Sequence, residues 1–146
     1  MNRKIANIIR LVNEKFEYDI QCYEEYHYEM KFGEGKVFID FEITSDVIRY
    51  EISFLFGIIN HEKQIDVDCV LEMLKENTNT FQKTSAYLSA VDKEGSIYLL
   101  LNSYHQYLAK WDDIDIAEML GLQLLDIKLA FINWDYPDTV YCFKPE

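Results

Sequence analysis

Glycine, proline, cysteine and histidine are all scarce in this chain: five, two, three and three of 146 residues. The glycines never cluster beyond Gly33 and Gly35, so no glycine-rich loop exists to cradle a phosphate. Cys22, Cys69 and Cys142 are odd in number and widely spaced. That excludes a disulfide scaffold or a zinc cluster and fits a reducing compartment. His27, His61 and His105 fall in different expected elements, with no cysteine or carboxylate spacing that suits a metal. Long apolar runs are missing as well: none approaches the length of about 18 residues that spans a bilayer. Arg3 and Lys4 are not followed by a signal-peptide core, because Asn7, Arg10 and Asn13 interrupt it. Basic residues number 14 against 26 acidic ones, a net charge of −12. Nucleic-acid backbones and anionic membranes would repel such a chain, whereas a partner with basic surface would attract it. A cytoplasmic protein is expected.

What is present is apolar and periodic. Hydrophobic residues make up 49 % of the chain, which excludes disorder despite the charge. The length suits one domain, expected over residues 1–135 with a C-terminal tail over 136–146. Ile5, Ile8, Ile9, Val12 and Phe16 recur at helical spacing and predict an amphipathic first helix. Tyr26, Tyr28, Met30 and Phe32 then alternate with His27, Glu29 and Lys31, the pattern of a strand. Gly33-Glu34-Gly35 is a short hairpin loop. Two further strands carry Val37, Ile39, Phe41 and Ile43, then Ile48, Tyr50, Ile52, Phe54 and Phe56, on their apolar faces. Loops this short require an antiparallel meander.

Val67, Val70, Leu71 and Leu74 predict a second helix with Asp66 as N-cap. Strands over about 85–91 and 96–104 flank the turn Asp92-Lys93-Glu94-Gly95. A last helix opens with Asp112, Asp113, Asp115 and Glu118, well placed for the helix dipole, and runs to about Asn133. Its polar side is narrow (Asp115, Gln123, Asp126 and Asn133), so burial against more than one neighbour is expected. Thr139 to Phe143 reads as a short strand or a loose tail. The predicted fold is α+β, in the order αβββαββα, with helices packed on a five-stranded antiparallel twisted sheet.

No catalytic constellation emerges, and the chain is not expected to be an enzyme, to need a cofactor or to hold a metal. Cys69 has no base proposed for it, and Asp66 with Asp68 reads as helix capping. The weight falls on binding. Tyr18, Tyr23, Tyr26 and Tyr28 suit a surface that is partly apolar and partly wet, although aromatic residues also simply pack well on sheets. Leu11 lies off the stripe of the first helix. The first strand of the meander is expected to form a sheet edge open to strand addition. Leu11, Tyr26, Tyr28 and Met30 are therefore the candidate guest-binding residues.

The order of elements, the size and the acidity resemble the type III secretion chaperones of the Tir-chaperone (CesT-like) family, over about residues 3–133. Val70-Leu71-Glu72-Met73-Leu74-Lys75-Glu76-Asn77 is similar to the family's Leu-Leu-x-x-Asn helix end. Ser85-Ala86-Tyr87-Leu88-Ser89, the turn after it and Ile97-Tyr98-Leu99-Leu100-Leu101 resemble its small-residue and leucine-rich strands. Phe131-Ile132-Asn133-Trp134 resembles its final helix ending near a tryptophan. The family's proline-containing step before the second helix is replaced by Asn60-His61-Glu62-Lys63-Gln64. The resemblance implies an ATP-independent, homodimeric cytoplasmic chaperone that keeps an extended N-terminal segment of a secreted effector ready for export. It also implies a dimer interface at the surplus apolar positions Cys69, Val70, Met73 and Leu74. The alternatives are an acidic immunity or inhibitor protein masking a basic toxin, or a sensory-type relative of the same fold that chaperones nothing.

Overall fold

A computed structural model describes residues 2–60, 75, 86–93, 96–133 and 141–142. Helix α1 (Arg3–Phe16) begins where the Asn2 side chain accepts the Ile5 amide at 3.1 Å, satisfying one donor of the first turn. It ends where Glu17 adopts a left-handed conformation, φ 57°. Its stripe of Ile5, Ile8, Ile9 and Val12 is fully buried, as the spacing predicts. Strands β1 (Gln21–Glu24), β2 (His27–Phe32), β3 (Gly35–Ile43) and β4 (Val47–Asn60) form an antiparallel meander. Gly33 turns the β2–β3 hairpin at φ 59°, a conformation glycine adopts without steric cost.

Strands β5 (Tyr87–Lys93) and β6 (Ser96–Leu108) complete a sheet in the order β1-β2-β3-β4-β6-β5. Helix α2 (Asp113–Asn133) follows, and β7 (Tyr141–Cys142) pairs with Gly57 and Ile58 of β4 beyond the end of β3. The architecture is α+β with an antiparallel sheet, as expected, but six strands lie in the main order instead of five. The addition is β1, whose four residues are all exposed and so carry no alternation to read. Of the expected second helix only Lys75, which is helical, falls among the described residues; Cys69, Val70, Met73 and Leu74 lie outside them.

Side chains alternate across the sheet, and the core lies on one face. Val37, Ile39, Phe41, Ile48, Tyr50, Ile52 and Phe54 meet α1 and the inner side of α2 (Ile116, Leu120, Leu124, Ile127, Phe131) in one cluster. Phe131 stands edge-on to Phe54 at 5.1 Å and also meets Phe32 and Phe56. Gln123 was expected on the polar side of the last helix, yet it turns inward. It accepts the Tyr50 hydroxyl proton and donates to the Tyr107 hydroxyl at 2.6 Å. Burial pushes the Tyr50 hydroxyl well above its usual pKa. The buried phenol needs a partner, and helix α2 supplies it.

The acidic start of α2 does more than complement the dipole. The Asp112 carbonyl accepts the amides of Asp115 and Ile116. The Asp113 carboxylate takes Lys4 at 2.6 Å and Asn7 at 2.7 Å, tying α2 to α1. Its pKa is lowered: partial burial works to raise it, but those two hydrogen bonds and the Lys4 charge outweigh burial.

Candidate functional site

The sheet edge is β1, not the strand expected there. Its register pairs Gln21 with Glu29 and Cys22 with Tyr28, so β1 covers the first half of β2 and leaves Met30 to Phe32 uncovered on that side. Tyr28 and Met30 point into the core at 3 % and 5 % exposure, a correction to their expected guest contact. Alternation had marked these positions as apolar, and the helices cover that face. Tyr26 sits in the β1–β2 turn at φ 69°, exposed, instead of beginning the strand. Leu11 packs half-buried on the core and lines a shallow groove of about 250 Å³ between α1 and α2, with Lys15, Ile114 and Glu118. The four expected residues therefore do not form one surface.

A notch opens where β1 ends. It measures about 450 Å³ and is walled by Tyr18 and Asp19 of the α1–β1 link, Cys22 and Tyr23 of β1, and Lys31 and Lys128. The Asn13 side chain fixes the link by bonding both backbone groups of Ile20, accepting its amide at 2.9 Å and donating to its carbonyl at 3.0 Å. Lys128 reaches across from α2, its Nζ 4.0 Å above the Tyr18 ring and 5.0 Å from that of Phe32. Partial burial lowers the pKa of this ammonium. Lys31 and Lys36 stand directly opposite each other across β2 and β3. Like charges so placed are unfavourable in a sheet. Glu29 offsets Lys36 at 3.5 Å, whereas Lys31 has no ion pair among the described residues. Three carboxylates, Glu17, Asp19 and Glu29, share the lining with these three lysines, so the notch is formally balanced in a chain of net charge −12. Sequence reading missed these lysines, although the two-residue Gly33-Glu34 turn places positions 31 and 36 in register.

The outer face of the sheet brings two carboxylates face to face. Asp40 faces Glu51 across β3 and β4, and His27 lies beside them on β2. His27 meets Asp40 at 2.5 Å through Nδ1 and Glu29 at 3.3 Å through Nε2. Partial burial works to lower the His27 pKa, but hydrogen bonds to Asp40 and Glu29 and their charges outweigh it, and the net shift is upward. A raised pKa means that the protonated ring stabilises the fold at pH below about 6.5, and that this is lost as pH rises through the folded-state value. His27→Gln is therefore expected to cost about 1 kcal/mol in mild acid and close to nothing at high pH. Urea unfolding of both proteins across pH checks this, and a pH-independent difference would refute it. His105 does not join His27. It lies three strands away, on β6 and on the inner face, 5.3 Å from the Tyr50 ring, where burial pulls its pKa down to about 4.

Among the described residues, no group of His, Cys, Asp and Glu is arranged to hold a metal, and no helix is long and apolar enough to cross a membrane. The fold and the notch together define a small α+β protein with a one-sided core and an open sheet edge lined by charges of both signs. Neither a family model nor a curated protein matches the chain. Among solved structures, YbjN of E. coli, a candidate transcription regulator, is similar with a TM-score of 0.54. The match covers 87 % of this chain and 88 % of that one at 8 % identity, a likeness of fold.

Proposed function

We propose that the chain is an ATP-independent chaperone-type binder that holds an extended segment of a partner protein. In this reading the guest is the N-terminal part of a secreted effector, and the chain works as a homodimer in the bacterial cytoplasm. The observation that supports it is the β1 edge, exposed at all four residues and bordered by a notch lined by three lysines and three carboxylates. A guest strand added there would bond to free backbone groups, continue past β1 along Met30 to Phe32, and place an acidic or polar side chain near Lys31 and Lys128. The chaperone-like α+β architecture supports the same reading.

The test begins with purification of the chain with its native partner. A peptide spanning the partner's N-terminal segment is expected to bind nearly as well as the whole partner. Cys22→Pro and Tyr23→Pro remove backbone donors that point in opposite directions along β1. The variant that keeps its fold is expected to lose about tenfold in peptide affinity. Leu11→Asp leaves Ile5, Ile8, Ile9 and Val12 in place and is expected to weaken the guest by about 1–3 kcal/mol if the guest also lies along α1. Unchanged affinity in that variant would confine the guest to the β1 edge. A peptide that fails while the folded partner binds would overturn the proposal. That result favours the second reading, masking of a basic folded protein by the outer face, where Asp40 and Glu51 stand unfavourably opposite each other.

A further inference from the structure

Helix α2 is apolar on two sides, and only one of them is used within the described fold. Ile116, Leu120, Leu124, Ile127 and Phe131 are buried to 2 % exposure or less. On the other side Met119, Leu122, Leu125, Leu129 and Ile132 are 38–55 % exposed. The first side meets the expectation of burial against more than one neighbour, since it packs on both α1 and the sheet. The steps between the exposed residues are three, three, four and three, the spacing of a seam that receives another helix.

The helix cannot roll to hide that seam. At Gly121 an added Cβ would lie 2.0 Å from the Phe16 ring of α1, so that side is held against α1. Gln123 is pinned from the sheet by Tyr50 and Tyr107. The exposed stretch runs for about 20 Å along the helix. Apolar patches of this extent on an otherwise charged surface mark sites of association.

The charge pattern selects the occupant. Two copies of a chain with net charge −12 repel wherever carboxylates are dense. Between Met119 and Ile132 there is one acidic residue, Asp126, and one basic residue, Lys128, whose ammonium turns to the Tyr18 and Phe32 rings, so this stretch carries few charges. A cationic partner finds no cluster of carboxylates there. An extended guest finds no open backbone edge, because the helix bonds its own peptide groups internally. A second copy brings an identical seam that interdigitates with the first about a two-fold axis.

We infer that the chain pairs with a second copy through Met119, Leu122, Leu125, Leu129 and Ile132. The inference rests on the homodimeric reading above but moves the interface from Cys69, Val70, Met73 and Leu74 to α2. Sedimentation equilibrium on the full chain at tens of micromolar tests it, alongside Leu125→Glu/Leu129→Glu. The wild type is expected at the mass of two chains. The double variant is expected at the mass of one, with its helical circular dichroism retained. Leu125→Cys, made without the native cysteines, is expected to form an interchain disulfide under mild oxidation and gives a readout that does not depend on the charged variant folding. A wild type at the mass of one chain overturns both the homodimeric reading and this interface. A dimeric wild type whose folded double variant stays dimeric, or whose Leu125→Cys form stays uncrosslinked, overturns the α2 interface alone. Cys69→Asp/Met73→Asp then examines the other location.

Discussion

Phe131→Ala is expected to reduce the free energy of unfolding by about 3–5 kcal/mol, the usual cost of deleting a fully buried aromatic side chain. Phe131 is 2 % exposed, and its ring meets Phe32 of β2 and both Phe54 and Phe56 of β4, at centroid distances of 5.1–6.2 Å. Those neighbours belong to different strands and cannot all collapse into the vacated space, so much of the cavity would persist. Edge-to-face pairing adds about 0.5–1.5 kcal/mol per aromatic pair beyond area, and this is lost as well. Domains of this size are stable by only about 5–15 kcal/mol, so the variant should retain a minor part of the wild-type margin. Denaturant midpoints with an unchanged slope would measure it. A loss below about 1 kcal/mol would mean that the far half of α2 does not rest on the sheet as described.

Gly121→Ala is expected to destabilise the protein by about 1–2 kcal/mol, against the gain of about 1 kcal/mol that replacing glycine normally brings inside a helix. The sign is reversed by Phe16. An ideal Cβ at position 121 falls 2.0, 2.3 and 2.5 Å from three atoms of that ring. The ring cannot swing away freely, because it stacks on Tyr18 at 5.7 Å and sits just before the left-handed Glu17 that ends α1. Either the ring leaves its stack or the two helices separate. Separation would strain the Lys4–Asp113 and Asn7–Asp113 bonds. In a Phe16→Ala background the clash disappears, and Gly121→Ala should become stabilising. The double-mutant cycle is thus expected to show coupling of about 2–3 kcal/mol. A stabilising Gly121→Ala in the wild-type background would contradict the close approach of the helices.

Much of this molecule is legible in its sequence where the signal is local. The stripe on α1 and the alternation over β3 and β4 follow from side-chain direction, a property of each residue's own backbone. The Gly33 turn is equally local. Strand β1 is not legible, because Gln21–Glu24 has neither alternation nor burial and is a strand only through its pairing with β2. Once β1 lies at the edge, the guest contacts assigned to Tyr28 and Met30 belong to the core. Lys31 and Lys36 could be placed together from the hairpin, but the arrival of Lys128 from α2 could not.

The sequence by itself determined the class of the fold, the inward residues of its regular elements and the strongly acidic character of the surface. Each of these depends on composition or on periods of 3.6 and 2 residues along the chain. Tertiary structure alone decided which strand became the edge, that Gln123 serves the buried Tyr50 hydroxyl, and which apolar side of α2 was left in water. Those outcomes depend on neighbours up to 73 positions away, as Tyr50 and Gln123 are. A doubly apolar helix has no local preference for the side it buries; the close fit of Gly121 against Phe16 and the bond to Tyr50 set it.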